Sequence, residues 1–159
     1  MNTDHPSTRR IRLADKADLD ALVQLEQRTF DYSRISRRNF RRLLQSSSVH
    51  FWVVTDAGQV IAYAIALSRS NSRYWRVYSL AVDAERRGQG LARAMLEHVI
   101  TEAKKAKCHG LSLEVKSDNL AAIQLYRRYH FETIDVLPGY YDDGTDGLKM
   151  RVTFYPESH

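Results

Sequence analysis

Apolar and polar residues alternate along Arg10-Ile11-Arg12-Leu13-Ala14, a period of two that predicts a short strand. The period then lengthens. Leu19, Leu22, Val23, Leu25 and Glu26 follow at helical spacing after two possible caps, Asp15 and Asp18, and predict a helix to about Arg28. Asp31-Tyr32-Ser33 interrupts it, and Ser36 caps a second helix with Phe40, Leu43 and Leu44 on its apolar side. Three strands come next, over residues 50–55, 60–67 and 74–82. The first two are joined by a hairpin turn at Asp56-Ala57-Gly58-Gln59, and the second is apolar enough to be covered on both faces. An apolar stripe of Ala92, Met95, Leu96, Val99, Ile100 and Ala103 predicts a helix stopped at Gly110. Leu111, Leu113 and Val115 alternate as a strand. Ser117-Asp118 caps a further helix through Tyr129, with Ala122, Leu125, Tyr126 and Tyr129 on one face, and residues 131–136 and 148–154 complete the strands. This order predicts an α/β fold with a mixed central sheet. The strand over 74–82, its helix and the strand over 111–116 form one parallel crossover. Nothing in the pattern marks a linker or repeat, so one domain over 1–159 is expected, with residues 1–8 a loose tail.

Composition narrows the class. The 159 residues are 43% hydrophobic, enough for a packed core. A lone cysteine, Cys108, excludes a disulfide framework and a cysteine-cluster zinc site. His98, His109 and His130 are too scattered for metal ligation, so no metal is expected. The cysteine count suits a reducing cytoplasm, no apolar run reaches membrane-spanning length, and the first residues lack the apolar stretch of a secretory signal. A cytoplasmic location is therefore expected.

Net charge is +5, and the excess is local: Arg28, Arg34, Arg37, Arg38, Arg41 and Arg42 stand against Asp31 alone. Such a cluster attracts polyanions, or is a solvated helix face. A nucleic-acid-binding module using Arg34, Arg37, Arg38, Arg41 and Arg42 is one alternative reading, although no stacking aromatics are interleaved except Phe40 on the apolar side. Asp142, Asp143 and Asp146 form an acidic turn that either faces a cationic substrate or is turn chemistry.

Between the strand over 74–82 and the following helix lies Glu85-Arg86-Arg87-Gly88-Gln89-Gly90-Leu91-Ala92. Glycines admit a bulky anion close to the backbone. A helix start offers unpaired N–H groups and partial positive charge, and arginines add charge-assisted hydrogen bonds. A pyrophosphate fits this chemistry; a tight strand-to-helix turn is the plain alternative. The nucleoside-triphosphate loop is excluded by the absence of Gly-Lys-Ser/Thr, and a dinucleotide fold by the missing third glycine and acidic partner.

Arg87-x-x-Gly90-x-Ala92, after a strand ending Leu80-Ala81-Val82, resembles the acetyl-CoA pyrophosphate motif of the GCN5-related N-acetyltransferases. Leu113-Glu114-Val115, then Asn119-x-Ala121-Ala122-Ile123-x-Leu125-Tyr126 and Phe131, resemble the family's bacterial ribosomal-protein alanine N-acetyltransferase branch, as does Gly139-Tyr140-Tyr141 before Asp146-Gly147. The resemblance implies a sheet of about seven strands flanked by about four helices, acetyl-CoA as donor without a metal, and direct transfer to a primary amine. The acceptor it implies is a protein or peptide N-terminal amine, with a ribosomal protein as a candidate; a small-molecule amine is the enzymatic alternative.

It also assigns residues. Leu80, Ala81 and Val82 would offer a backbone donor to the thioester carbonyl. Arg87, Gly88, Gln89, Gly90, Leu91, Ala92 and Arg93 would hold the pyrophosphate, and Asn119 the pantetheine arm. Glu114 would be the general base, its pKa raised by partial burial; the other reading is a carboxylate satisfied by a neighbouring arginine. Tyr126 would protonate the leaving thiolate from a phenol near ~10; the other reading is a core tyrosine. Phe30, Tyr32, Tyr140 and Tyr141 would line the acceptor groove. Two departures stand out. His130 replaces the usual glycine before Phe131, where a left-handed backbone is often needed, and residues 30–36 lack the usual Pro-Trp.

Overall fold

The structure, a computed structural model, describes residues 8–30 and 34–154. Tyr32 and nearly all of the expected tail lie outside them. The strands are β1 (Arg9–Leu13), β2 (Val49–Asp56), β3 (Gln59–Leu67), β4 (Tyr74–Val82), β5 (Gly110–Lys116), β6 (Glu132–Leu137) and β7 (Gly147–Thr153). The helices are α1 (Leu19–Thr29), α2 (Arg37–Gln45), α3 (Leu91–Lys105) and α4 (Leu120–Arg128). One seven-stranded mixed sheet runs in the order β1-β2-β3-β4-β5-β7-β6, as expected for strand number and class. No helix among the described residues is long and apolar enough to cross a membrane. The chain divides into two compact units, one of residues up to Ala66 with Ser79–Leu96, the other of Leu67–Tyr78 with the chain from Glu97 onward.

In the first unit, Asp15 and Asp18 share the capping. The Asp15 side chain accepts from the Ala17 N–H at 2.8 Å and Asp18 accepts from the Asp15 N–H at 2.9 Å, closing a short 3-10 turn that leads into α1. Arg12 forks onto both oxygens of Asp18 at 2.8 Å. That contact outweighs burial, which pushes the other way, and holds the Asp18 carboxyl below its ordinary range. The Ser36 hydroxyl caps α2 by accepting from the Asn39 N–H at 3.1 Å. Phe40 of α2 meets the Tyr63 ring edge-on at 5.7 Å and lies 6.2 Å from Phe51. β3 is buried on both faces, as its composition predicts.

The second unit shows why β5 alternates. Leu111, Leu113 and Val115 are buried, while Ser112, Glu114 and Lys116 share the half-exposed opposite face. β5 pairs with β7 along its whole length, Glu114 opposite Lys149, and β6 closes the edge beyond β7.

Two expected boundaries are corrected. Gly110 does not stop α3. Lys107, at φ 60, takes the left-handed turn, and Gly110 opens β5 with a negative φ. Its side-chain-free Cα is needed there for close strand packing. Nor do Ser117-Asp118 cap α4: the Asn119 side-chain oxygen does, accepting from the Ala122 N–H at 3.2 Å. His130 sits at φ 72, the left-handed conformation expected at that position.

Candidate active site

The first unit carries the anion loop. Asp83 caps a 3-10 turn over Ala84–Arg86 by accepting from the Glu85 N–H, and Arg28 binds Asp83 at 2.9 Å. Arg86 turns away to Asp56 at 2.5 Å. Gly88 and Gly90 then take φ 78 and 76, where a side chain would be strained, with no atom within 4 Å of the place a Cβ would occupy. Arg87 and Arg93 are exposed and have no partner among the described residues. Of the two arginines before the glycines, only Arg87 is therefore available to an anion. The Gln89 side chain accepts from Arg9, which leaves its backbone N–H to the loop. α3 begins at Leu91, and its first-turn N–H groups lack intrahelical acceptors by the geometry of any helix start. At the end of β4, Ala81 is buried, and Leu80 and Val82 are half-buried.

The second unit carries the expected acid and base. Glu114 is mostly buried, its side chain 13% exposed, and Oε1 accepts from both Nε and Nη2 of Arg76, the former at 2.8 Å. The reading of a carboxylate met by an arginine is thus realised. It occupies one oxygen only: Oε2 has no partner among the described residues. Burial is the largest single influence on Arg76 and works against its charge; the hydrogen bond with Glu114 and the electrostatic pull of Glu114, Tyr140 and Tyr78 together outweigh it and hold the guanidinium above its ordinary pKa. The parallel β4–β5 register covers Tyr74–Arg76 against Gly110–Ser112 and ends before Glu114.

Beside Glu114 opens a cavity of about 520 Å³ lined by residues of the second unit, among them Arg69, Tyr74, Arg76, Tyr140 and Lys149. Tyr140 meets Tyr141 edge-on at 5.1 Å, and Lys116 sits over the Tyr141 ring. Of the expected acceptor-groove residues, Tyr140 reaches the Glu114 cavity. Tyr141 packs beside it, and Phe30 caps the end of α1 in the first unit. The acidic turn is turn chemistry: Asp143 accepts from Lys116 at 2.7 Å and from the Thr145 N–H, which hold its carboxyl well below the usual range, and Asp146 accepts from the Gly139 N–H.

Tyr126 keeps partial solvent exposure, stacks at a tilt on Phe131 at 5.6 Å, and has no partner for its hydroxyl among the described residues. Burial pushes the phenol up to about 12, above the value of ~10 expected from sequence. Asn119 spends its side-chain oxygen on the α4 cap and keeps its amide N–H₂ to donate, so the cap is compatible with the pantetheine role expected of it.

Sequence reasoning missed three residues. Arg76 lies on the same strand face as Tyr74 and Tyr78, a position that alternation shows, but its pairing with Glu114 depends on a register no local pattern encodes. Lys149 lies opposite Glu114 for the same reason. Glu26, read as part of a helix stripe, is 2% exposed. It accepts from the Tyr63 hydroxyl and, at 2.7 Å, from the Ile35 N–H, tying the segment after α1 to the core; burial pushes its carboxyl up. The arginine cluster is partly spent internally: Arg34 donates to the Phe30 and Gln27 carbonyls, Arg37 pairs with Asp20 and Arg42 bonds Asn39.

The comparisons place this seven-stranded α/β chain among the acyltransferases. Residues 19–131 match the acetyltransferase (GNAT) family, and the chain belongs to that family as an N-acetyltransferase. It is 33% identical over 138 residues to the [ribosomal protein bS18]-alanine N-acetyltransferase of Escherichia coli, covering 87% of this chain and 90% of that one. It is 30% identical over 115 residues to the N-alpha-acetyltransferase RimI of Mycobacterium tuberculosis, covering 70% and 71%. The crystal structure of the E. coli ribosomal-protein-S18-alanine N-acetyltransferase superposes with a TM-score of 0.86 at 30% identity, over 95% of this chain and 97% of that one.

Proposed function

We propose that the protein transfers the acetyl group of acetyl-CoA to the α-amine of a protein or peptide N-terminus, with an N-terminal alanine of a ribosomal protein as the model acceptor. The observation that carries the reading is the unshared Oε2 of Glu114 on the wall of a cavity large enough for a small acceptor. Likeness to relatives named for alanine N-acetylation supports the acceptor class.

Acetyl-CoA brings an acetyl group already activated as a thioester. The residues of the chain do the rest. Backbone N–H groups from Gly88 to Arg93, with the Arg87 and Arg93 side chains, hold the diphosphate. Asn119 donates to the pantetheine arm, and the backbone of Leu80–Val82 donates to the carbonyl. Glu114 takes the amine proton at Oε2 while Arg76 fixes Oε1. An α-amine near ~8 is about one-tenth neutral at pH 7, whereas a lysine near ~10.4 is below ~0.1% neutral, so a nearby carboxylate suffices for the former. Tyr126 would be the hydrogen-bond donor to the leaving sulfur. With its phenol at about 12 and a thiol near ~8.5, complete proton transfer is uphill by about 5 kcal/mol. Its part is therefore a hydrogen bond that strengthens as sulfur gains charge.

Calorimetry with acetyl-CoA tests the loop. Gly90→Val forces a branched side chain into a left-handed position, and a loss of affinity of about 10²-fold is expected, close to what two charge-assisted hydrogen bonds contribute. Unchanged affinity would remove the diphosphate assignment. Tyr126→Phe is expected to lower kcat by about 10²-fold at every pH up to 10, leaving the shape of the pH profile intact. An alkaline limb that disappears in the variant would instead make Tyr126 a titrating acid.

A further inference from the structure

We infer that the acceptor is acidic: a peptide whose first residues after the reactive amine carry carboxylates. This rests on the N-terminal acetylation proposed above and names the substrate class of that site. The cavity beside Glu114 holds three cations, Arg69, Arg76 and Lys149, against one carboxylate. Arg76 is committed to Glu114. The Arg69 and Lys149 side chains form no hydrogen bond or ion pair among the described residues. Asp135, opposite Lys149 in the β6–β7 register, turns one oxygen to the Val136 N–H and does not pair with it. Two uncommitted positive charges thus border the carboxylate that would receive the amine proton.

The register sets the scale. Glu114 and Lys149 are direct partners across β5 and β7, so their Cα atoms stand roughly 5 Å apart. An amine at Glu114 Oε2 and a carboxylate one or two residues along the same peptide span that interval. Asn71 and Ser72 add polar groups to the wall, and Tyr74 and Tyr140 add aromatic surface, suiting a short extended peptide. The same charges oppose polycationic acceptors. A polyamine or aminoglycoside would bring its other ammonium groups against Arg69 and Lys149, which disfavours the small-molecule alternative on electrostatic grounds.

The test uses three peptides that begin with alanine and differ only at the second and third residues, both Glu, both Gln or both Lys, assayed for acetylation at low ionic strength. The expected order of kcat/KM is Glu above Gln above Lys, by about tenfold per step, as two partly exposed charges supply, and the spread narrows as salt is added. Lys149→Glu is expected to invert the order. Arg69→Glu, on an exposed loop, repeats the test at a position where folding is not at stake. Equal rates for the three peptides, a preference for Lys in the parent protein, or an order unchanged in both variants overturns the inference while N-terminal acetylation stands. If no peptide is acetylated while acetyl-CoA binds, the peptide reading itself falls and the acidic acceptor falls with it.

Discussion

Glu114→Gln is expected to lower kcat on an N-terminal alanine peptide by about 10²- to 10³-fold while acetyl-CoA binds as tightly as to the parent protein. The size follows from what one positioned proton acceptor contributes. Glutamine keeps the length and shape of the side chain, and its carbonyl oxygen can still accept from Arg76 in place of Oε1. What it cannot do is take a proton at the second position. The substitution also removes the ionic part of a contact between side chains 35% and 13% exposed, which costs about 1 kcal/mol at this level of solvent access. The two roles of the carboxylate separate in the readout. If the pair with Arg76 were its whole purpose, Glu114→Gln would shift Tm and leave kcat within about threefold. Catalysis moves kcat far more than stability. Arg76→Met makes the complementary measurement. It leaves Glu114 mostly buried with Oε1 unpartnered, so the carboxylate is no longer held in place, and kcat is expected to fall by about tenfold, the size of one charge-assisted hydrogen bond, with acetyl-CoA affinity unchanged. Rescue of kcat by Arg76→Lys would mark Arg76 as a positioning residue.

The order of the elements was legible because each follows from a local period. β3 is apolar without alternation, β5 alternates, and α3 carries a stripe at helical spacing. The loop before α3 was legible for a related reason: two glycines separated by one residue, both at positive φ, leave a chemical trace in sequence. The acid–base residues were visible as residue types on particular faces, but not in their surroundings. The Arg76–Glu114 contact joins strands separated by a long helical crossover, whose relative register is fixed only when the sheet assembles. The same ignorance of tertiary surroundings hid the upward displacement of the Tyr126 phenol, which burial causes and no neighbour in sequence announces. The helix-end corrections have a different source. Lys107 and Asn119 each adopt a conformation that several residue types tolerate, so the more familiar signals at Gly110 and Ser117 drew the assignment.

Gly110 has another task, and its replacement carries the largest stability effect expected of a single added methyl group. Gly110→Ala is expected to destabilise the fold by about 3 kcal/mol, at the upper end of overpacking substitutions, lowering Tm by about 10 °C for a chain of this size. A Cβ there would lie 1.9 Å from the Val152 carbonyl oxygen and 3.0 Å from the Thr153 Cα, both backbone atoms of the neighbouring strand, and 2.9 Å from the Tyr74 ring. The ring lies across the glycine from the other side: Tyr74 is the register partner of Gly110 in β4, yet its hydroxyl bonds the Thr153 hydroxyl of β7 at 2.9 Å, with Arg151 over its face. An aromatic side chain thus spans three strands over the one residue that leaves room for it. Two of the three close contacts are backbone, which cannot rotate aside. Tyr74→Ala in the alanine variant is therefore expected not to restore Tm, because it relieves the ring contact and leaves the carbonyl clash. Recovery of most of the lost stability in that double variant would show that the ring, not the β5–β7 backbone, sets the requirement for glycine. Urea denaturation read by far-ultraviolet circular dichroism decides between them, with the slope unchanged if the native packing alone is affected.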